Sequence, residues 1–134
     1  MIWARLLILL APLAAAQTLD FNVFKTKVEP IFLKKRPGHA RCVVCHVDAV
    51  TAFKLQPLPE GAKMWTDEQS RKNFEVVKNL VVPGEPEKSR LLKHPLAPAA
   101  GGDRFHGGGR QFGSENDPDW KTIADWVRGE KPAN

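Results

Sequence analysis

The sequence predicts an all-α protein. Three observations carry that reading. Apolar residues recur at helical spacing in several windows, helix-start signals precede some of them, and no stretch alternates as a strand would. Pro- and Gly-rich segments separate the windows, so the helices should be short and joined by long loops. A length of 134 residues without an internal repeat implies one domain.

The first helix is expected from about Thr18 to Lys35, with Phe21, Phe24, Val28, Ile31 and Phe32 on one apolar face. Pro30 should kink or interrupt it. Arg36-Pro37-Gly38-His39 is a breaker. A loop with Pro57, Pro59 and Gly61 leads to Thr66-Asp67-Glu68-Gln69, a capping box that opens a second helix. Phe74, Val77 and Val81 form its expected buried stripe, and Val82-Pro83-Gly84 stops it. Pro86 to Leu92 reads as a short third helix with Pro near its first turn. Residues 95–117 carry no clear periodicity. Asp117-Pro118 then supplies N-cap and first position for a last helix, lined by Trp120, Ile123, Ala124 and Val127 and ended by Gly129. Trp65, Trp120 and Trp126 read as core.

The N-terminus is a different kind of segment. Met1 to Arg5 is a short positive region, Leu6 to Ala16 is apolar, and Ala14-Ala15-Ala16 offers a small-residue cleavage site. This is the pattern of a secretory signal peptide over 1–16, followed by one domain over 17–134. The run is too short for a membrane span, which takes about 20 apolar residues. The chain is thus expected to be periplasmic or otherwise exported, with no membrane span after cleavage. Its net charge of +5 is mild, and the 20 Lys+Arg are spread among 15 Asp+Glu, which argues against a nucleic-acid partner. Lys34-Lys35-Arg36 is the only basic run; it reads as a solvated helix end or a docking patch for an acidic partner.

Cys42-Val43-Val44-Cys45-His46 carries the chemistry. C-x-x-C-H is the attachment signature for c-type haem. The two thiols add across the two haem vinyl groups, and the adjacent imidazole reaches the iron as proximal ligand. A thioredoxin-like redox pair would sit in a βαβ pattern, which is lacking here. A structural zinc site takes four ligands, whereas the chain has two Cys and scattered His.

Several segments together resemble a known family. They are Val28-Glu29-Pro30-Ile31-Phe32 ahead of Cys42-Val43-Val44-Cys45-His46, the run from Val82-Pro83-Gly84 to Leu91-Leu92, His106-Gly107-Gly108-Gly109, and Trp120 to Trp126. The chain looks like a planctomycete-type cytochrome c domain, similar in helical order to class I cytochromes c. The resemblance implies a small helical domain wrapped around one covalently bound haem, with long Pro/Gly-rich loops. It implies an iron-containing electron carrier rather than an enzyme, passing single electrons between redox partner proteins. The identity of those partners, and any place in a larger respiratory or oxidoreductase complex, stays open.

The sixth iron ligand has three candidates. His106 precedes Gly107 to Gly109, whose lack of Cβ would let backbone approach a porphyrin. The family also carries a His-x-Gly-Gly segment there, so His106 is the expected distal ligand. His94 is the next candidate. Met64 is the only Met after the signal segment, but it lies in the wrong loop and reads as a gap filler. Arg104 and Arg110 flank His106 and are candidates for the haem propionates or for plain solvation. The alternative function is a haem-based small-ligand sensor or a peroxidase-like protein with an exchangeable sixth ligand. A lipase-type reading of His106-Gly107-Gly108-Gly109 fails for want of a G-x-S-x-G elbow on an α/β chain.

Overall fold

The structure is a computed structural model that describes residues 17–132. The expected signal peptide over 1–16 lies outside the described residues. What is described is all-α: among these residues the only β features are the isolated bridges Arg36–His39 and Leu96–Phe112. No helix among them is long and apolar enough to cross a membrane.

Helix α1 is the run 21–33, in three parts: Phe21–Val23 (α), Phe24–Val28 (π) and Glu29–Leu33 (α). It is shorter than expected at both ends. Asp20 caps it by accepting the Val23 N–H at 2.9 Å, and Lys34 is already extended. The interruption expected at Pro30 takes the form of the π turn before it, closed by the Glu29 N–H on the Phe24 carbonyl. A proline ring presses on the carbonyl four residues back, and a widened turn relieves that contact.

Helix α2 is Cys42–His46, and α3 is Asp67–Val77 with both halves of the Thr66–Gln69 capping box formed. A 3₁₀ turn, Lys78–Leu80, extends α3. The expected third helix is split. Pro86–Lys88 is 3₁₀, and α4 is Arg90–Lys93. Buried Ser89 lies at the break, where its hydroxyl donates to the Glu85 carbonyl and accepts the Val82 N–H. Helix α5 is Pro118–Val127, with Asp117 accepting the Asp119 and Trp120 N–H groups as N-cap. Gly129 ends it at φ +76°.

The first and last helices share an aromatic core. Phe24 lies 5.5 Å from Trp126 and 5.3 Å from Phe74 between ring centres, and the Trp126 indole donates to the Asp20 carbonyl at 2.9 Å. Val28, Phe32, Leu92, Ile123 and Val127 complete the buried contact. Trp65, Trp120 and Trp126 are all buried, as expected of core residues.

Two polar features depart from the sequence reading. The inner face of α3 is less apolar than expected: Ser70 and Asn73 are fully buried there, while Phe74 is only half-buried. Both face Glu29, which is itself 0 % exposed. The basic run 34–36 is divided: Lys34 and Lys35 are exposed, while Arg36 is half-buried and paired internally. Arg36 is enclosed between Asp117 and Asp119, donates to the Gln111 carbonyl at 3.1 Å, and stands 4.8 Å over the Phe112 ring. Lys34 pairs with Asp119 at 2.8 Å, and Lys35 donates to the His39 carbonyl. These bonds fasten the end of α1 to the start of α5. The Arg36 carbon stem packs at the interior while its head group finds acceptors on three sides.

Candidate functional site

Helix α2 positions the C-x-x-C-H residues. Cys42, Cys45 and His46 stand at i, i+3 and i+4, the spacing that shares one helical face. All three line a cavity of about 310 Å³. Val43 turns the opposite way and is buried in the core, while Val44 is 56 % exposed. The cavity wall is largely apolar, with Ile31, Phe32, Leu80, Leu91, Phe112 and Ile123. Its volume falls in the range of cofactor sites.

His46 is held from the segment that follows. Its Nδ1 lies 2.8 Å from the Phe53 carbonyl oxygen and 3.3 Å from the Thr51 hydroxyl. A carbonyl can only accept, so Nδ1 carries the proton and Nε2 keeps its lone pair. This is the bond that orients a metal-ligating imidazole. The Phe53 ring stacks beside His46 at 4.4 Å and packs on Phe32 at 5.1 Å. Burial holds the His46 pKa below the ordinary histidine value. The Phe53 carbonyl opposes that shift, and the nearby His106 and His94 add to it. The neutral imidazole, the form that binds metal, is therefore favoured.

His106 reaches the same cavity from the Gly-rich loop. Its ring centre is 6.3 Å from that of His46, with the planes 23° apart. The His106 Nδ1 also meets a backbone carbonyl, that of Gly109, at 2.5 Å. By the same argument the lone pair of the neutral ring sits on Nε2.

His94 lines the cavity too, 5.0 Å from His106 in an edge-on arrangement, and its Nδ1 lies 3.1 Å from Asp103 Oδ2. Met64 is absent from the cavity wall and 41 % exposed. The structure thus gathers Cys42, Cys45, His46, His94 and His106, and leaves Met64 outside.

The glycines of this loop differ among themselves. Gly107 and Gly108 line the cavity, and a Cβ at Gly107 would meet no protein atom. A Cβ at Gly108 would stand 3.6 Å from His106 Cε1 and 3.9 Å from Cys45 Sγ, so the loop runs close beside α2. Gly109 alone is required by the protein itself: its φ is +86°, and a Cβ would lie 2.9 Å from His39 Nδ1.

Arg104 and Arg110 are absent from the cavity wall. The Arg110 guanidinium donates to the carbonyls of Arg104 and His94, closing the loop on itself. The arginines that do line the cavity are Arg41 and Arg90, which sequence reasoning passed over. Arg41 could have been suspected as the residue before Cys42; nothing in the local sequence marks Arg90.

The donor set, two thiols and two imidazoles on a largely apolar wall, suits the C-x-x-C-H attachment chemistry. Burial pushes the Cys42 thiol up to about 11, so it stays protonated at neutral pH. Among the described residues no cluster of three or more His, Cys, Asp or Glu is gathered for a bare metal ion, whereas structural zinc takes four such donors. No protein-family model, no curated protein and no solved structure matches the chain.

Proposed function

We propose that this protein is an exported single-haem c-type cytochrome that carries electrons between redox partner proteins. One observation supports the reading above others. The C-x-x-C-H face opens onto an apolar cavity that His106 enters from the far loop, with ring centres 6.3 Å apart. Cys42 and Cys45 would hold a haem through its vinyl carbons, and His46 and His106 would hold its iron. Bound haem would supply an iron that alternates between ferric and ferrous states.

The remaining work falls to the protein. Ile31, Phe32, Leu91 and Phe112 give the cavity an apolar wall, which lowers the dielectric on that side of the site. The carbonyls of Phe53 and Gly109 keep each imidazole in one tautomer through a change of charge. Arg41 and Arg90 offer positive charge at the cavity wall for carboxylates that would otherwise be costly to bury.

The test is an absorption spectrum of the exported protein, made in a host able to attach c-type haem. Sharp reduced α and β bands, kept as a pyridine haemochrome after denaturation, are expected. A protein that leaves such a host without covalent haem would overturn the reading.

A further inference from the structure

The ring of His46 is oriented by the segment 53–57, which has no regular secondary structure. Phe53 supplies the carbonyl for Nδ1, and the Leu55 N–H donates to the His46 carbonyl at 2.8 Å. A segment with no ladder of its own must find partners for its backbone elsewhere. Here they come from α3 and the residue just ahead of its N-cap. The Trp65 indole N–H donates to the Gln56 carbonyl at 2.8 Å, the Gln69 amide donates to the Pro57 carbonyl at 2.9 Å, and Asn73 Oδ1 accepts the Gln56 N–H at 2.8 Å. Gln69 and Asn73 are four apart on one face of α3, and with Trp65 just ahead of that helix they grip consecutive backbone groups of the strap.

Behind Asn73 stands Glu29 of α1. Its Oε1 accepts the Asn73 amide N–H at 2.9 Å, and its Oε2 accepts the Ser70 hydroxyl at 2.7 Å. An ionised carboxylate only accepts. It therefore draws the NH₂ end of Asn73 toward itself and turns Oδ1 toward Gln56. An apolar pair would fill this space at lower cost than a fully buried carboxylate, whereas a fully satisfied polar network specifies one arrangement.

We propose that Asn73, oriented by Glu29, is a positioning residue for His46, acting through the strap 53–57. The idea rests on the haem reading above. It does not require Asn73 or Glu29 to touch the cofactor, and neither lines the cavity. Its content is that the proximal hydrogen bond is set by a residue two bonds removed, on a different helix.

The experiment compares haem-loaded wild type with Asn73→Leu, Glu29→Gln and Val127→Ala, reading reduction potential and amide exchange. Asn73→Leu should raise the potential, because a looser Phe53 carbonyl weakens the Nδ1 bond and makes the imidazole a poorer donor to ferric iron. The Gln56 amide should exchange about tenfold faster once its bond is lost. Glu29→Gln replaces a group that only accepts by one that also donates, so it weakens the orientation of Asn73 and should raise the potential in the same sense but by less. Val127→Ala, in the core of α5, should lower stability and leave the potential alone. If Asn73→Leu does not mature, Trp65→Phe removes the grip on the Gln56 carbonyl while keeping a ring, and should raise the potential in the same sense. A folded Asn73→Leu or Trp65→Phe protein at the wild-type potential would overturn the positioning role and leave the haem reading intact. A wild type without covalent haem would overturn both.

Discussion

The two histidines that face each other across the cavity are held in opposite ways. His46 depends on contacts distant in sequence: a strap whose Leu55 is 1 % exposed, gripped by Trp65 and Asn73, themselves buried. His106 depends on its own neighbourhood. Its Nδ1 meets the carbonyl three residues on, Arg110 closes on Arg104 and His94, and Phe105 beside it is 83 % exposed. The loop is tied to the frame at its ends, through the Asp103 N–H on the Lys93 carbonyl and the Leu96–Phe112 bridge. Segments with few buried contacts open at lower free energy than core elements. The His46 ring is thus fixed by the fold, and the His106 ring by a loop. In a haem-loaded protein any exchange of ligand would begin at His106.

The largest expected effect tests that asymmetry directly. His106→Ala should convert a low-spin spectrum to one that is high-spin or rearranged and responds to carbon monoxide, while His94→Ala should leave the low-spin spectrum in place. The reverse pattern would transfer the distal role to His94, which shares the cavity wall.

A second substitution cuts the tie between the distal loop and the helical frame. Arg36→Met leaves Asp117 and Asp119 without their shared cation and frees the Gln111 carbonyl. These side chains keep 14–21 % exposure, so the loss should fall somewhat below that of a fully buried pair, at about 2–3 kcal/mol. Denaturant midpoints measure it. A loss within about 0.5 kcal/mol of zero would mean that the pair behaves as a surface bridge.

Gly109→Ala acts within the loop. It forces φ near +86° on a residue with a Cβ and crowds His39. The cost should be about 1–2 kcal/mol. Hydrogen exchange should quicken in the distal loop and stay unchanged at Gln56.

The smallest effect is the pH dependence, in which two carboxylates oppose each other. Burial raises the Asp117 pKa, but the bonds from Arg36 and from the Asp119 and Trp120 N–H groups outweigh it, and the net shift is downward from 3.8. A depressed native pKa means that the unfolded chain binds more protons in that window. This stability is therefore complete above the unfolded value and lost as pH falls through the lower native one. Burial raises the Glu29 pKa above 4.5 despite Ser70, Asn73 and Lys25. Here the native state binds more protons, and stability falls as pH rises from 4.5 through the raised value. Midpoints from about pH 3 to about pH 7 should show Arg36→Met flattening the acid limb and Glu29→Gln removing the decline on the neutral side. A Glu29→Gln profile parallel to wild type would show that Glu29 does not titrate within that range.

The legible parts of the molecule are those with local causes. The Thr66 capping box, the Asp117-Pro118 start and the stop at Gly129 each depend on a few adjacent residues, and each is where the sequence places it. The grouping of Cys42, Cys45 and His46 follows from their spacing alone once α2 forms. His106 and His94 were identifiable as candidates, since the chain has only four His. Their gathering around one cavity is a property of the fold.

The illegible parts have causes distant along the chain. Arg36 looks solvated like its neighbours Lys34 and Lys35 until α5 brings Asp117 and Asp119 beside it. Arg110 looks like a partner for an anion until the turn of its own loop offers it carbonyls. The polar stripe Ser70–Asn73 looks like a break in an apolar face until Glu29 arrives from another helix.

By itself, then, the sequence determined the helical class, the capped starts of α3 and α5 and the grouping of Cys42, Cys45 and His46, because caps, periodicity and C-x-x-C-H spacing act over a few residues. Only the tertiary structure decided which cations are neutralised internally, which carbonyls hold each imidazole and what stands behind His46. Those outcomes depend on burial, which changes the cost of every polar group and exists only once distant segments have packed.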